Sequence, residues 1–345
     1  MRSGSSRAGV AIDLQRPGAC FDGGCTVRSS LRGVRQPETV YRRRRAVALA
    51  AALALIVIPV AVLASGGGGD GADKDKQSKA AQEKPPELPR GGRRIFPDHR
   101  VVAFYGAPQA DELGILGIGK PAAMARKLER QAKPYARKTR PVLPAMELIA
   151  VIAANAPGED GLWRTRQDAA IIDRYHRAAR RAKALLLLDI QPGHSDFLVE
   201  ARRLERWLRE PDVGLALDPE WQTPGVQPGS EIGSMTAEQA NAVSAWLANI
   251  VREENLPEKL LVIHQFTPDM IQNKDQVKPR PGIAITMNVD GFGDRPNKIS
   301  KYEQFTSEAV RFHDGFKLFY KEDVNLMSPG AVLDLRPPPD LVIYE

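Results

Sequence analysis

Acidic side chains follow directly on short apolar runs at several points of this 345-residue chain. Asp189 closes the run Leu185–Leu188, Asp218 closes Leu215-Ala216-Leu217, and Asp290 follows Ile283–Val289. Apolar packing does not call for a carboxylate at those places. A strand-end Asp can cap the next turn, but three acids converging on one mouth are what an acid–base site needs. The segment Val213–Trp221, VGLALDPEW, is the sharpest case. Continued as a strand, it puts Gly214, Ala216, Asp218 and Glu220 on one face. Two small residues would leave room beneath two acids about 6.6 Å apart. Like charges that close push their pKa values apart, so one carboxyl keeps its proton while the other stays ionised. Trp221 beside them offers a flat apolar face, suited to stacking on a sugar ring or to packing at a rim. The other strand-end positions add Tyr105, Gln191, His264, Asn288, Lys317, Tyr320 and Tyr344 as candidate substrate-binding residues, with Glu147 inside a strand. His264 suits an acid–base group, a ligand or a hydrogen-bonded structural group. Asp189, Asp218, Glu220, His264 and Asp290 together have the oxygen-rich character that Mg²⁺ or Ca²⁺ favours. No HxH or HxxEH spacing supports that, and no metal or cofactor is assigned.

Positioning these residues requires strands that end side by side. Eight β-rich runs follow residue 95: Val101–Tyr105, part of Val142–Ile152, Ala184–Asp189, Val213–Asp218, Leu260–His264, Ile283–Val289, Phe316–Tyr320 and Leu341–Tyr344. Helical patterns separate them, at Pro121–Lys138, Arg166–Lys183, Phe197–Arg209, Thr236–Glu254, Lys298–Phe312 and Ser328–Leu335. In Thr236–Glu254 the Thr cap precedes a stripe of Val243, Trp246, Leu247 and Ile250. Strands alternating with helices imply βα units and a parallel sheet. Eight units in about 250 residues fit a (β/α)8 barrel of the TIM type, whose active sites lie at the carboxyl ends of the strands. An open doubly wound sheet is the competitor, but Tyr105-Gly106-Ala107-Pro108 lacks the Gly-rich phosphate turn. No helix follows the eighth run, so the expected barrel lacks a final helix.

The chain's net charge of +7 is carried by its first 45 residues, which hold ten Arg, no Lys and three acids. Nucleic-acid binding places positive charge on the folded domain, so no nucleic acid is expected as a partner. Residues 1–45 read as a basic cytoplasmic tail. Ala46–Ala64 is an uncharged apolar run long enough to cross the hydrocarbon core, and the Arg block before it predicts an exported C-terminal part. It reads as a single-pass signal anchor in the cell membrane, with cleavage near Ala64 and secretion as the alternative. Residues 65–94, rich in Gly, Lys, Gln and Pro, read as a disordered linker. Residues 95–345 then form the extracellular domain, expected to be monomeric. Its stability owes nothing to disulfides, because the only cysteines are Cys20 and Cys25 in the tail.

Asp218-Pro219-Glu220 resembles the DxE signature of the fourth strand in chitinase-like and DxE lysozyme barrel glycosidases. In the chitinase-like pattern D-x-x-D-x-D-x-E, Val213 and Ala216 stand where earlier aspartates would be. Met287–Asp290 resembles the same family's M-x-Y-D, with Val289 in place of the tyrosine. The resemblance implies Glu220 as general acid, Asp218 as stabiliser of the substrate's N-acetyl group, and Asp290 as support. Tyr320 or Tyr344 would then have to supply the missing hydroxyl. The part from Arg100 to Glu345 also resembles a family of actinobacterial-type secreted or membrane-anchored proteins, through LDIQPG (188–193), LALDPEW (215–221), VIHQFTP (262–268), VDGFG (289–293) and FKLFY (316–320). That likeness implies location and fold and carries no reaction. The readings left open are a glycosidase acting on cell-wall glycan or peptidoglycan, a non-catalytic glycan-binding barrel with the same mouth, and a metal-dependent hydrolase.

Overall fold

Leucine-, isoleucine- and valine-rich runs that are apolar on both faces belong in a sheet covered on both sides. The computed structural model, which describes residues 84–306 and 312–345, closes eight of them into a parallel barrel. The strands are β1 (Arg100–Gly106), β2 (Val142–Ala153), β3 (Leu185–Ile190), β4 (Val213–Leu217), β5 (Lys259–Gln265), β6 (Ile283–Val289), β7 (His313–Leu318) and β8 (Leu341–Tyr344). Each pairs with its sequence neighbour, and β1 pairs with both β2 and β8, which completes the ring. A short antiparallel strand, Arg164–Arg166, extends β2 at one end. β2 carries an irregularity between Ile149 and Val151, a bulge at the rim of the kind that re-aims side chains near sites.

The outer layer holds α1 (Pro121–Ala132), α2 (Ala169–Arg181), α3 (Phe197–Arg203), α4 (Glu205–Leu208), α5 (Ala237–Glu253), α6 (Arg295–Thr306) and α7 (Pro329–Leu333). The start of α5 is fixed by a reciprocal cap, in which Gln239 N–H donates to Thr236 Oγ1 (3.2 Å) and Thr236 N–H to Gln239 Oε1 (2.9 Å). Strand alternation splits the core in two. Outward residues such as Phe104, Leu188, Leu217 and Tyr344 pack against the helices, while Val101, Ala103, Ala145, Leu187, Ala216, Val262 and Ile343 fill the barrel.

Three expectations need correction here. The run at 316–320 begins three residues too late, so Tyr320 lies beyond the end of β7. The interior at Gly214 is not roomy, since an added Cβ would meet Leu187 Cδ2 and the Leu260 carbonyl at 2.7 Å. The folded domain begins before residue 95. Leu88, Ile95 and Phe96 are buried in the inner core, and Arg93 donates to the carbonyls of Pro86 (2.7 Å) and Leu256 (2.8 Å). The composition of residues 84–94 hid this, because an arginine hydrogen-bonded to carbonyls looks like any solvated charge. The tail 1–45, the apolar run 46–64 and the linker as far as residue 83 lie outside the described residues. Among the described residues no helix is long and apolar enough to cross a membrane.

Candidate active site

The inward face of each strand is apolar through the middle of the barrel and turns polar at the carboxyl end. Tyr105 on β1, Glu147 on β2, Asp189 on β3, His264 on β5, Asn288 on β6 and Lys317 on β7 are all buried there, with Asp218 directly after β4 and Asp290 directly after β6. Alternation dictates the choice. Five of these are two residues past an inner-core neighbour, as Tyr105 is past Ala103, Glu147 past Ala145, Asp189 past Leu187, Asp218 past Ala216 and His264 past Val262.

The groups form one connected array. Gln191 Nε2 donates to the Tyr105 hydroxyl (3.0 Å), which donates to Asp189 Oδ2 (3.0 Å). Gln191 is itself aimed by Ala153 N–H, which donates to its Oε1 (3.2 Å). His264 Nε2 lies 2.9 Å from Glu147 Oε1 and Nδ1 lies 3.2 Å from Asp290 Oδ2. The Asn288 amide nitrogen lies 3.2 Å from the same Nδ1. Asp290 is held further by Gly291 N–H on Oδ1 (2.7 Å) and by Lys317 Nζ on Oδ2 (3.0 Å). Lys317 also pairs with Glu345 Oε2 (2.8 Å) and sits over the Tyr105 ring, 3.9 Å from its centroid. Gly291 is obligatory in this arrangement. Its φ is +123°, and a Cβ there would meet Lys301 Nζ at 2.6 Å.

Electrostatics follow from burial. Burial raises Asp189 well above the ordinary carboxylate range, helped by the charge of Asp218 and opposed by His264 and Lys317. Burial likewise raises Asp218, with His264 and Lys317 opposing. The Tyr105 hydroxyl is pushed well up by burial and then by Asp189 and Asp218. His264 goes the other way from what burial and Lys317 would impose, because its hydrogen bonds to Asp290 and Glu147 hold it well above 6.5 as an imidazolium. Above this array Lys301 is lowered by burial to about 8, with Asp290 and Glu220 drawing it back up. It donates to the Phe266 carbonyl (3.0 Å) and packs on the Phe266 ring.

Four buried acceptor oxygens around this array have no hydrogen-bond partner: Glu147 Oε2, Asp189 Oδ1, Asp218 Oδ1 and Asn288 Oδ1. Buried acceptors are almost always satisfied in a finished fold, so four in one place mark where something else is meant to bind.

The structure brings most of the candidates together and leaves others elsewhere. Asp189, Asp218, Asp290, Tyr105, Gln191, His264, Asn288 and Lys317 gather at the mouth. Asp218 and Glu220 do not share a strand face. The backbone leaves β4 at Leu217 and turns through Pro219–Trp221 as one 3-10 turn, because Pro219 cannot continue the ladder. Glu220 is still buried, and Trp221 is half-buried on the far side of that turn. Tyr344 points into the helical layer, where its hydroxyl is 2.6 Å from that of Tyr135. Tyr320 stacks on Tyr344 and donates to Gln131 Oε1 (3.1 Å), so neither tyrosine supplies a hydroxyl to the mouth. Glu345 and Lys301 are site residues that sequence reading misses. Lys301 lies inside a helix, and only the bare space over Gly291 admits it.

No family model matches the chain, and no curated protein matches it. The chain is similar to two solved structures of a Ruminococcus gnavus sialic acid aldolase. The catalytic lysine mutant is 13% identical over 72% of this chain and 67% of that chain, with a TM-score of 0.35. The wild type is 12% identical over 72% and 68%, with a TM-score of 0.36.

Proposed function

We propose that the mouth is the active site of a glycoside hydrolase that cleaves an N-acetylated cell-wall glycan, with Asp218 and Glu220 as its working carboxylates. The observation that carries this reading is Asp218 Oδ1, a buried carboxylate oxygen with no partner, at the carboxyl end of a barrel strand. The DxE resemblance implies Glu220 as the general acid. The surroundings favour the opposite division of roles. Burial raises Asp218 and so suits it to carry the proton, which leaves Glu220, whose charge is felt by Lys301, for the other part. Asp290 and Asp189 set the charge beneath them, and Tyr105, Gln191, His264, Asn288 and Lys317 would orient the sugar through their fixed hydrogen bonds. On this reading residues 46–64 hold the domain outside the cell membrane as a single-pass anchor, and the chain works as a monomer on the wall.

The test is release of reducing ends from peptidoglycan by the full chain. Both Asp218→Asn and Glu220→Gln should lower it by about 10²-fold or more. An aryl glycoside with a good leaving group needs no proton, so it should restore turnover to whichever variant has lost the acid and not to the other. No reducing ends from the wild type, with wall binding intact, would leave a glycan-binding barrel.

A further inference from the structure

We propose that Glu147, Asp189 and His264 bind one divalent first-row transition-metal ion beneath the mouth. The three come from β2, β3 and β5, and each offers one ligand atom within 4.8 Å of the other two. Ligands about 2.0–2.2 Å from an ion lie about 3–3.6 Å apart in tetrahedral or octahedral sites, inside that limit. All three side chains are fully buried, at 0%, 0% and 1% exposure. Two of the four unpartnered oxygens, Glu147 Oε2 and Asp189 Oδ1, belong to this set. An uncompensated carboxylate oxygen in such a place is costly unless a cation or a donor meets it.

The surroundings of His264 supply the second argument. A metal-bound imidazole donates its other N–H to a carboxylate, which fixes its tautomer and plane. His264 Nδ1 faces Asp290 Oδ2 at 3.2 Å, and Asp290 is itself fixed by Lys317 and by Gly291 N–H. The outer support of a metal ligand is therefore in place. The charge balance points the same way. Of the four buried carboxyls Glu147, Asp189, Asp218 and Asp290, the ion pairs with His264 and Lys317 reach Glu147 and Asp290. An ion replaces the proton on His264 Nε2, which now bonds Glu147 Oε1, and that proton leaves to solvent while Nδ1 keeps its own for Asp290. The imidazole nitrogen sets the class. It suits Mn²⁺, Fe²⁺, Co²⁺ or Zn²⁺ and gives little to Mg²⁺ or Ca²⁺, which prefer all-oxygen sites. The inference does not rest on the glycosidase reading.

The experiment titrates the chelator-stripped full chain with Co²⁺ alone and follows its visible absorption. One equivalent should bind and resist competition by millimolar Mg²⁺. Glu147→Gln and Asp189→Asn should each weaken binding at least tenfold, and Asp290→Asn, which only positions His264, by about 10–100-fold with the stoichiometry kept. Circular dichroism shows whether each variant is folded. If Glu147→Gln is not, Asp290→Asn and the wild-type titration decide. No saturable uptake by the folded wild type, binding indifferent to these changes, or displacement by Mg²⁺ would each overturn the proposal. Reducing-end release by the same stripped chain separates the two readings. Cleavage without Co²⁺ uptake removes only the metal site, and uptake without cleavage removes only the glycosidase.

Discussion

The two ends of the barrel each bury a lysine, and they treat it in opposite ways. At the amino end Lys259 Nζ donates to the carbonyls of Glu210 and Val213, both at 2.7 Å, with no carboxylate in contact. Leu88, Ile95 and Phe96 plug that end, and Glu258 Oε2 accepts the Ile95 N–H at 2.6 Å. At the carboxyl end Lys317 meets Asp290, Glu345 and the Tyr105 ring, and four oxygens nearby have no partner. Among the described residues, one end is closed by apolar side chains and leaves only two nitrogens, His99 Nδ1 and Arg280 Nε, without a partner, whereas the other is charged and leaves four oxygens so. Barrels of this kind generally keep stability at the amino end and ligand sites at the carboxyl end, and this lopsided use of polar burial runs the same way.

The comparison can be broken at the closed end first. Phe96→Ala should cost about 3–5 kcal/mol in denaturant unfolding, because a plug inside a packed core leaves a cavity behind. A loss below about 1 kcal/mol would show that the segment before β1 is dispensable to the core. Next comes Lys259. Burial lowers its pKa to about 7 from an ordinary 10.5. Above about pH 7 the unfolded chain therefore holds a proton that the folded chain has released, and stability rises with pH. Wild type should gain up to about 2 kcal/mol relative to Lys259→Met between roughly pH 7 and pH 9. A difference that stays flat over that range would mean that Lys259 keeps its ordinary pKa. The smallest effect belongs to the open end. Asp218→Asn replaces a buried carboxyl whose Oδ1 has no partner and should stabilise the fold by about 1 kcal/mol while, on the proposed reading, lowering glycan cleavage by about 10²-fold or more. A clear loss of stability would make Asp218 a structural residue, and the contrast between the ends would collapse.

Asp189, Asp218 and Asp290 were legible as a converging group because carboxylates directly after apolar runs have no packing reason to be there. Glu345 was not, since a terminal acid carries no pattern. Nor was the true direction of Tyr320 and Tyr344. Tyr320 lies past the end of β7, and Tyr344 ends a run that is apolar on both faces, so alternation alone does not say which face looks inward. Pro219 was visible in the sequence, yet its consequence for Glu220 depends on where the β4 ladder stops.

Sequence alone determined the periods, and with them the eight strands, the helices between them and the presence of acids at strand ends. These are local properties, set by alternation along a strand and by 3.6-residue recurrence along a helix. Tertiary structure alone decided which ends meet. Tyr105 reaches Asp189, Glu147 reaches His264 and Lys317 reaches Asp290 only because the ring closes in one register. Their partners are 84, 117 and 27 residues away, and no periodicity in a chain encodes a distance across a barrel. Burial at that meeting point then shifted the pKa values and left the oxygens unpaired.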